Sequence, residues 1–294
     1  MKVTALPDVE PRPRRVAIGT FDGVHLGHRE VIRGADTVLT FEPHPLAVVR
    51  PEALPRLIDS PAIKRDIFAA LGVEDLVVIP FDRELAALDA EDFVRDVLVE
   101  RLGATHVSVG ENFRFGRAAR GDAALLDRHP AFETRVVPLV EVGGETVSSS
   151  RIRALVGAGE MGAAAEFLGR PFLLDGEVAT GDRRGRELGM PTANIVPDEA
   201  LVAPGHGVYA ALAHDRPAAV SVGVRPTFGT GRALLVEVHL IEWTGDLYGQ
   251  GLRVAFLERL RGERRFDSVP ELVAQMWEDV DHARQIASAS VVRL

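Results

Sequence analysis

Two histidines three residues apart, His25 and His28, stand in the run G-T-F-D-G-V-H-L-G-H that spans residues 19–28. The run follows the apolar stretch RRVAI and leads into the helix-like REVIRG. A turn between a strand's C-terminal end and a helix N-terminus collects anions through exposed N–H groups and the helix dipole. Gly23 and Gly27 let the backbone come close to a phosphate, and the two histidines share a face if the helix begins there. Both can donate to phosphate oxygens and stabilise charge on a departing pyrophosphate. An isolated H-x-x-H is more often a surface pair, and no cysteine or third ligand supports a metal site. Directly after a strand and a G-T-F-D-G turn, the pair points to phosphate chemistry.

A second constellation lies in the other half of the chain. Gly181, Gly185 and Gly189 punctuate a stretch that also carries Arg183, Arg184 and Arg186, and P-T-A-N follows at 191–194. A glycine-rich flap wraps phosphates with backbone N–H groups and needs no lysine. Thr192 and Asn194 are two apart, so on an extended segment they share a face. Two neutral oxygens side by side suit Mg²⁺, which takes its remaining ligands from water and ATP phosphates. Taken singly, either piece is an irregular turn. Farther on, A-L-L-V-E-V-H-L-I-E-W alternates, with Val236, Val238 and Leu240 on one face and Glu237 and His239 on the other. Most glutamates so placed face solvent on a half-buried strand. His239 has no assigned role.

The elements that must position these groups change in texture along the chain. RRVAIGTF, TVLTF, DLVVIPF, THVSVG and TRVVPLV read as short buried strands, with PAIKRDIFAALG and AEDFVRDVLVERLG as helices between them. Such alternation predicts a parallel sheet with helices on both faces and ligands beyond the strand C-termini. From LGRPFLLDG onward the pattern is strand, turn, strand, which predicts a small antiparallel barrel. Ser268 and Glu271 form an S-x-x-E capping box with Pro270 in the first turn of a closing helix. Two domains meeting near residues 168–172 are the simplest account.

Composition sets the limits. The chain has 294 residues, 46% hydrophobic and 26% charged, and no cysteine. Disulfides, a thiolate nucleophile and Cys-ligated zinc are excluded, which fits a cytoplasmic protein. No stretch reads as a signal peptide or a membrane span. A net charge of −9 argues against nucleic acid as a partner, so anionic ligands must be gathered locally. Lys2 and Lys64 are the only lysines, so a G-x-x-x-x-G-K-[ST] phosphate loop is impossible.

In this order the motifs resemble those of bacterial bifunctional riboflavin kinase/FMN adenylyltransferases, also called FAD synthetases. The resemblance continues through T-F-E-P-H-P at 40–45, G-E-N-F-R-F-G at 110–116, S-S-S-R-I-R at 148–153, V-G-V-R-P-T-F at 222–228 and G-D-L-Y-G at 245–249. It covers nearly the whole chain. It implies a Rossmann-like adenylyltransferase domain over 1–168 and a riboflavin kinase domain over 169–294, a six-stranded barrel with a C-terminal helix. Riboflavin, FMN and ATP are the implied substrates, with Mg²⁺ as cofactor and a monomer or weak homo-oligomer as the working form. ATP phosphates are assigned to Gly19, Phe21, Asp22, Gly23 and Gly27, to Ser148, Ser149, Ser150, Arg151 and Arg153, and to the flap residues Gly181, Arg183, Gly185, Arg186 and Gly189. Asn112, Phe113, Arg114 and Phe115 are assigned to flavin, and Thr192 and Asn194 to the metal. His25 and His28 serve adenylyl transfer, which needs no base because a phosphate is already ionised. Glu237 is the general base that a primary hydroxyl nucleophile requires.

Two departures stand out. Only Arg29 to Leu39 separate His28 from Thr40, so the first crossover helix is cut to about two turns, near the minimum for a βαβ unit. The third serine of S-S-S replaces a usual threonine. A working but weakened FAD-forming site is expected, with a kinase-only chain as the alternative. A flavin or nucleotide sensor would need no base. H-x-G-H alone would also suit an adenylyltransferase of another metabolite, and the attached kinase half makes flavin the natural choice.

Overall fold

The computed structural model describes residues 1–179, 189–226 and 232–290. The chain divides into two compact units, 1–55 with 64–148, and 56–63 with 149–294. A six-stranded sheet forms the centre of the first: β1 Lys2–Ala5, β2 Arg14–Ile18, β3 Thr37–Glu42, β4 Asp75–Pro80, β5 Ala104–Gly110 and β6 Glu133–Val137. Their order is β1-β4-β3-β2-β5-β6, and every neighbouring pair is parallel. Strands of such a sheet are covered on both faces, which is why they read as apolar runs. Val16, Ile18, Leu39, Val77, Val107 and Val109 sit in the core between them.

From β2 the chain steps outward to β3 and β4, then returns to pair β5 with the other side of β2. The strand order therefore reverses at β2/β5, the point where open α/β sheets bind ligands. Helix α1, Leu26–Ile32, follows β2 and has the two turns that the short spacing predicts. Helix α2, Pro61–Ala70, lies between β3 and β4 in sequence. The stretch expected as a helix over 90–103 opens as Ala90–Asp92 and continues as a π-helix, Phe93–Arg101. Its apolar spacing still buries Phe93, Val94, Val97 and Leu98. The edge strand β1 is mostly exposed and carries no alternation, so only its pairing with β4 defines it.

In the second unit β7 Phe172–Ala179, β8 Ala193–Val196, β9 Gly207–Ala213, β10 Arg216–Pro226, β11 Arg232–Leu240 and β12 Gly251–Arg261 close into a barrel in the order β7-β8-β11-β10-β9-β12. All six contacts are antiparallel. Helices α3 Ser149–Ala158, α4 Met161–Leu168 and α5 Val269–Ala289 belong to the same unit. Ser268 caps α5 by accepting from the Glu271 N–H at 3.3 Å. The capping box stays half-formed, because the Glu271 carboxylate takes Arg264 at 2.8 Å and the Asp267 N–H. No helix among the described residues is long and apolar enough to cross a membrane.

Residues 56–63, between β3 and α2 in sequence, fold with the barrel unit as a strap. Leu57 exchanges backbone bonds with Ala200 and Val202 at 2.7 and 2.8 Å. The Asp59 carboxylate accepts two bonds from Arg170 Nη2, at 2.5 and 2.7 Å, with both side chains wholly buried. Ser60 donates to Asp175, which also pairs with Arg253 at 2.7 Å. Removing one partner of a buried pair strands the other charge. Asp59→Ala should therefore destabilise the barrel unit by about 3–5 kcal/mol. Urea unfolding followed through this unit reads that loss, and an unchanged midpoint would show that Arg170 finds another counter-charge.

Candidate functional site

The G-T-F-D-G-V-H-L-G-H turn leaves β2 at the reversal point of the sheet, with the Gly19 N–H still bonded to the Leu39 carbonyl of β3 at 3.2 Å. Phe21 and Val24 adopt left-handed backbone, with φ of 48° and 36°. For a β-branched residue such as Val24 this is a strained state that persists only where the surroundings hold it. Gly23, at φ 91°, takes the position between them that suits glycine. A side chain at Gly19 would meet the Phe21 ring at 3.1 Å. Phe21 packs edge-on against both His28 and Phe68, at centroid distances of 5.4 and 5.8 Å.

His25 is the N-cap of α1, and its Nδ1 accepts from the His28 N–H at 3.3 Å. An accepting Nδ1 carries no proton, so neutral His25 holds its proton on Nε2 as a donor. The two rings stack at 3.6 Å, inclined by 16°. Burial pushes His25 down from 6.5 to about 4. Burial also holds His28 well below its ordinary value, with His25 and the Lys64 cation adding to the effect. His28 Nδ1 is buried without a hydrogen-bond partner. A buried orphan of this kind belongs to a site organised for something other than stability.

A methyl group at Gly27 would meet Cε1 and Nδ1 of His25 at 3.3 Å. A displacement of a few tenths of an ångström at the capping nitrogen is then unavoidable. Gly27→Ala should lower FAD formation about tenfold and leave FMN formation from riboflavin unchanged. An unaltered FAD rate in a discontinuous flavin assay would show that the ring position is not critical.

Two other motifs of this unit leave neighbours of β2 at the same sheet end. T-F-E-P-H-P ends β3, where the Glu42–Pro43 peptide is cis and His44 caps a short helix, Pro45–Val49. G-E-N-F-R-F-G leaves β5, the other neighbour of β2. Asn112 and Arg114 are exposed, Phe113 is half-buried, and Phe115 is a core residue against Phe93. The rings of Phe113 and Phe115 stack at 5.5 Å, so Phe115 backs Phe113. Asp22 is buried beside the turn. Ser148 is the last residue of the first unit, and Ser149, Ser150 and Arg151 form the first turn of α3 in the second. Arg153, one turn on, donates to the Arg56 carbonyl of the strap at 2.7 Å.

In the barrel unit, register brings together what the sequence keeps forty residues apart. Asn194 of β8 pairs directly with Glu237 of β11, and Glu237 pairs with Ser221 of β10. Directly opposed residues of antiparallel strands share a face, with Cβ atoms about 4.5–5.5 Å apart. Val236 and Val238 point into the barrel and are fully buried, which sends Asn194, Glu237 and Ser221 outward in one row. Thr192 stands just before β8. His239 Nδ1 bonds the Pro191 carbonyl at 2.9 Å and so ties β11 to the entry of the P-T-A-N segment. Gly189 lies at a left-handed position, φ 81°, with open space around it. Gly181, Arg183, Gly185 and Arg186 lie outside the described residues.

Thr192 and Asn194 offer neutral oxygens beside a carboxylate, a donor set that Mg²⁺ occupies only with phosphate oxygens and water completing it. Among the described residues no group of three or more His, Asp or Glu could hold a metal ion alone. The donor set thus fits a metal that arrives with a nucleotide.

A cavity of about 500 Å³ that no sequence motif marks is lined by Ser221 together with Arg261, Glu263, Arg264 and Phe266. Asp279 of α5 holds Arg261 through bonds of 2.7–3.0 Å, and the two guanidiniums lie 5.7 and 5.2 Å from the Phe266 ring. The available signal was the run R-G-E-R-R-F, three arginines around one aromatic. Lys64 likewise belongs to no motif. Its Nζ donates to the Thr20 carbonyl at 2.8 Å, inside the signature turn.

The FAD synthetase family profile matches residues 8–151 and the riboflavin kinase profile residues 168–287. A bifunctional riboflavin kinase/FMN adenylyltransferase from Pseudomonas fluorescens is 36% identical, with 99% of each chain covered. One of the same description from Escherichia coli K12 is 35% identical over 92% of this chain and 91% of that one. A solved Streptococcus pneumoniae structure, described as a macrolide-efflux protein, superposes with a TM-score of 0.87. It is 30% identical over 97% of this chain and 99% of that one.

Proposed function

The chain belongs to the bifunctional riboflavin kinase/FMN adenylyltransferase family, and on that premise we propose which residues carry each of its two reactions. It phosphorylates riboflavin to FMN with ATP, then adenylylates FMN to FAD with release of pyrophosphate. We assign the second reaction to residues 1–168 and the first to 169–294. A cytoplasmic location fits the absence of cysteine.

For the kinase, the row Asn194–Glu237–Ser221 beside the arginine-lined cavity carries the assignment. The cavity falls within the size range of small-molecule sites, and its wall of Phe266 and two guanidiniums offers apolar and hydrogen-bonding contacts to a flavin ring. Riboflavin bound there extends its ribityl hydroxyl toward Glu237, one strand away. The carboxylate accepts the hydroxyl proton as the oxygen attacks the γ-phosphorus, and ADP leaves. Thr192 and Asn194 would hold Mg²⁺, whose charge offsets that of the ATP phosphates when bound. His239 fixes Pro191 and with it the direction of Thr192.

For adenylyl transfer, an FMN phosphate oxygen attacks the α-phosphorus of ATP and the β,γ-pyrophosphate departs. The neutral imidazoles of His25 and His28 act as hydrogen-bond donors, and the N-cap bond already fixes the His25 tautomer. Asn112, Phe113 and Arg114, with Phe115 behind, form the flavin edge beside them. The two-turn α1 retains the His25–His28 stack, which supports a working adenylyl-transfer site.

Incubation of the purified chain with riboflavin, ATP and Mg²⁺, followed by chromatography of the flavins, tests both halves. FMN and FAD are expected. FMN alone would confine the activity to the barrel unit, and neither product from folded protein would overturn the assignment.

A further inference from the structure

The signature turn of the adenylyl-transfer site, residues 19–28, carries no lysine or arginine of its own. Burial disfavours the charged form of both histidines, a phosphate-loop lysine is excluded by the sequence, and the whole chain carries a net charge of −9. Yet two cations grip the strained turn from opposite ends. Lys64 Nζ donates to the Thr20 carbonyl at 2.8 Å, and Arg29 Nε donates to the Val24 carbonyl at 3.3 Å. Between these carbonyls lie the left-handed residues Phe21 and Val24.

Helix α2 delivers Lys64 by its periodicity. Lys64 and Phe68 are four apart and so share a face. Phe68 packs edge-on against Phe21 at 5.8 Å, while Lys64 is half-buried one turn earlier. One helix face therefore supplies an apolar brace and a cation to the same turn. Strained backbone persists where its surroundings over-determine it, and this pair of contacts does so.

We propose that Lys64 is the positioning cation of the adenylyl-transfer site. It fixes the signature turn through the Thr20 carbonyl and adds, beside the stacked rings of His25 and His28, positive charge toward which pyrophosphate separates. The inference rests on the assignment of FMN adenylylation to this half of the chain. Lysine's compact ammonium does what a phosphate-loop lysine does elsewhere, from a helix rather than from the loop itself.

Two substitutions separate charge from hydrogen bonding. Lys64→Gln keeps a donor for Thr20 and removes the cation, whereas Lys64→Arg keeps both. In the full chain, with FAD formation from supplied FMN and FMN formation from riboflavin measured in parallel, Lys64→Gln should lower kcat for FAD formation about 10²-fold. KM for ATP and the rate of FMN formation should stay near wild type. Lys64→Arg should recover FAD formation to within about fivefold of wild type, since the charge is retained. Equal activity of the two variants, whether both high or both low, would overturn the proposal. A wild-type chain that makes FMN and no FAD would instead overturn the assignment on which it rests.

Discussion

Glu237→Gln should abolish riboflavin phosphorylation, lowering kcat about 10²- to 10⁴-fold, while FAD formation from supplied FMN continues at the wild-type rate. The amide keeps the shape of the side chain and its place opposite Asn194 and Ser221, so the barrel should fold unchanged. What it loses is the ability to take up a proton. A ribityl hydroxyl is a poor nucleophile until its proton is accepted, whereas the FMN phosphate that attacks in the other reaction is already an anion. The two rates are measured in one preparation, so the second is an internal control for folding. Retention of kinase activity within tenfold would show that Glu237 is not the base, and a parallel fall in FAD formation would show that the two sites are not independent.

His28→Ala should have the opposite signature, a loss of about 10²- to 10³-fold in FAD formation with FMN formation intact. The wild-type FAD rate should also be flat over roughly pH 6 to 8 as far as these histidines govern it. Burial holds His25 at about 4 and His28 well below its ordinary value, so neither titrates in that range. An acid limb centred near 6.5 that disappears in His28→Ala would contradict this. The same displacement has a stability consequence. The folded pKa lies below the unfolded value, so the unfolded chain takes up protons first as pH falls. Stability is fully present above about 6.5 and drains as pH drops toward 4, by on the order of 3 kcal/mol from His25 alone. Urea midpoints at pH 7 and pH 4.5 should therefore differ more in the wild type than in a His25→Asn variant.

Much of this was legible in the sequence, for reasons that differ by element. Buried parallel strands announce themselves as apolar runs, and β2 to β6 fall where those runs lie. The signature turn reads as a strand-to-helix connection and Ser268 reads as a cap, because both signals are local. The row Asn194–Glu237–Ser221 was only half visible. Alternation shows that Glu237 faces away from Val236 and Val238, but register across three strands is a long-range property. Lys64 was hidden for a similar reason: periodicity predicts α2 without telling which loop its face meets. The strap is the extreme case. Nothing in P-R-L-I-D-S-P-A signals that Asp59 meets Arg170, since the two are 111 positions apart.

The strap also bears on how this chain can be divided. Three chain crossings, near residues 55, 63 and 148, link the two units, so a single cut does not yield two complete pieces. A fragment beginning at residue 169 would retain the whole barrel and leave Arg170 without the carboxylate that neutralises it. Its weakness would be mistaken for a property of the kinase, when it records a missing eight-residue piece of the other half. In engineering terms the two catalysts are not interchangeable cassettes. A transplanted kinase must bring 56–63 with it, as a spliced segment or an added peptide, and restoration of the barrel's urea midpoint by that peptide would measure the dependence directly.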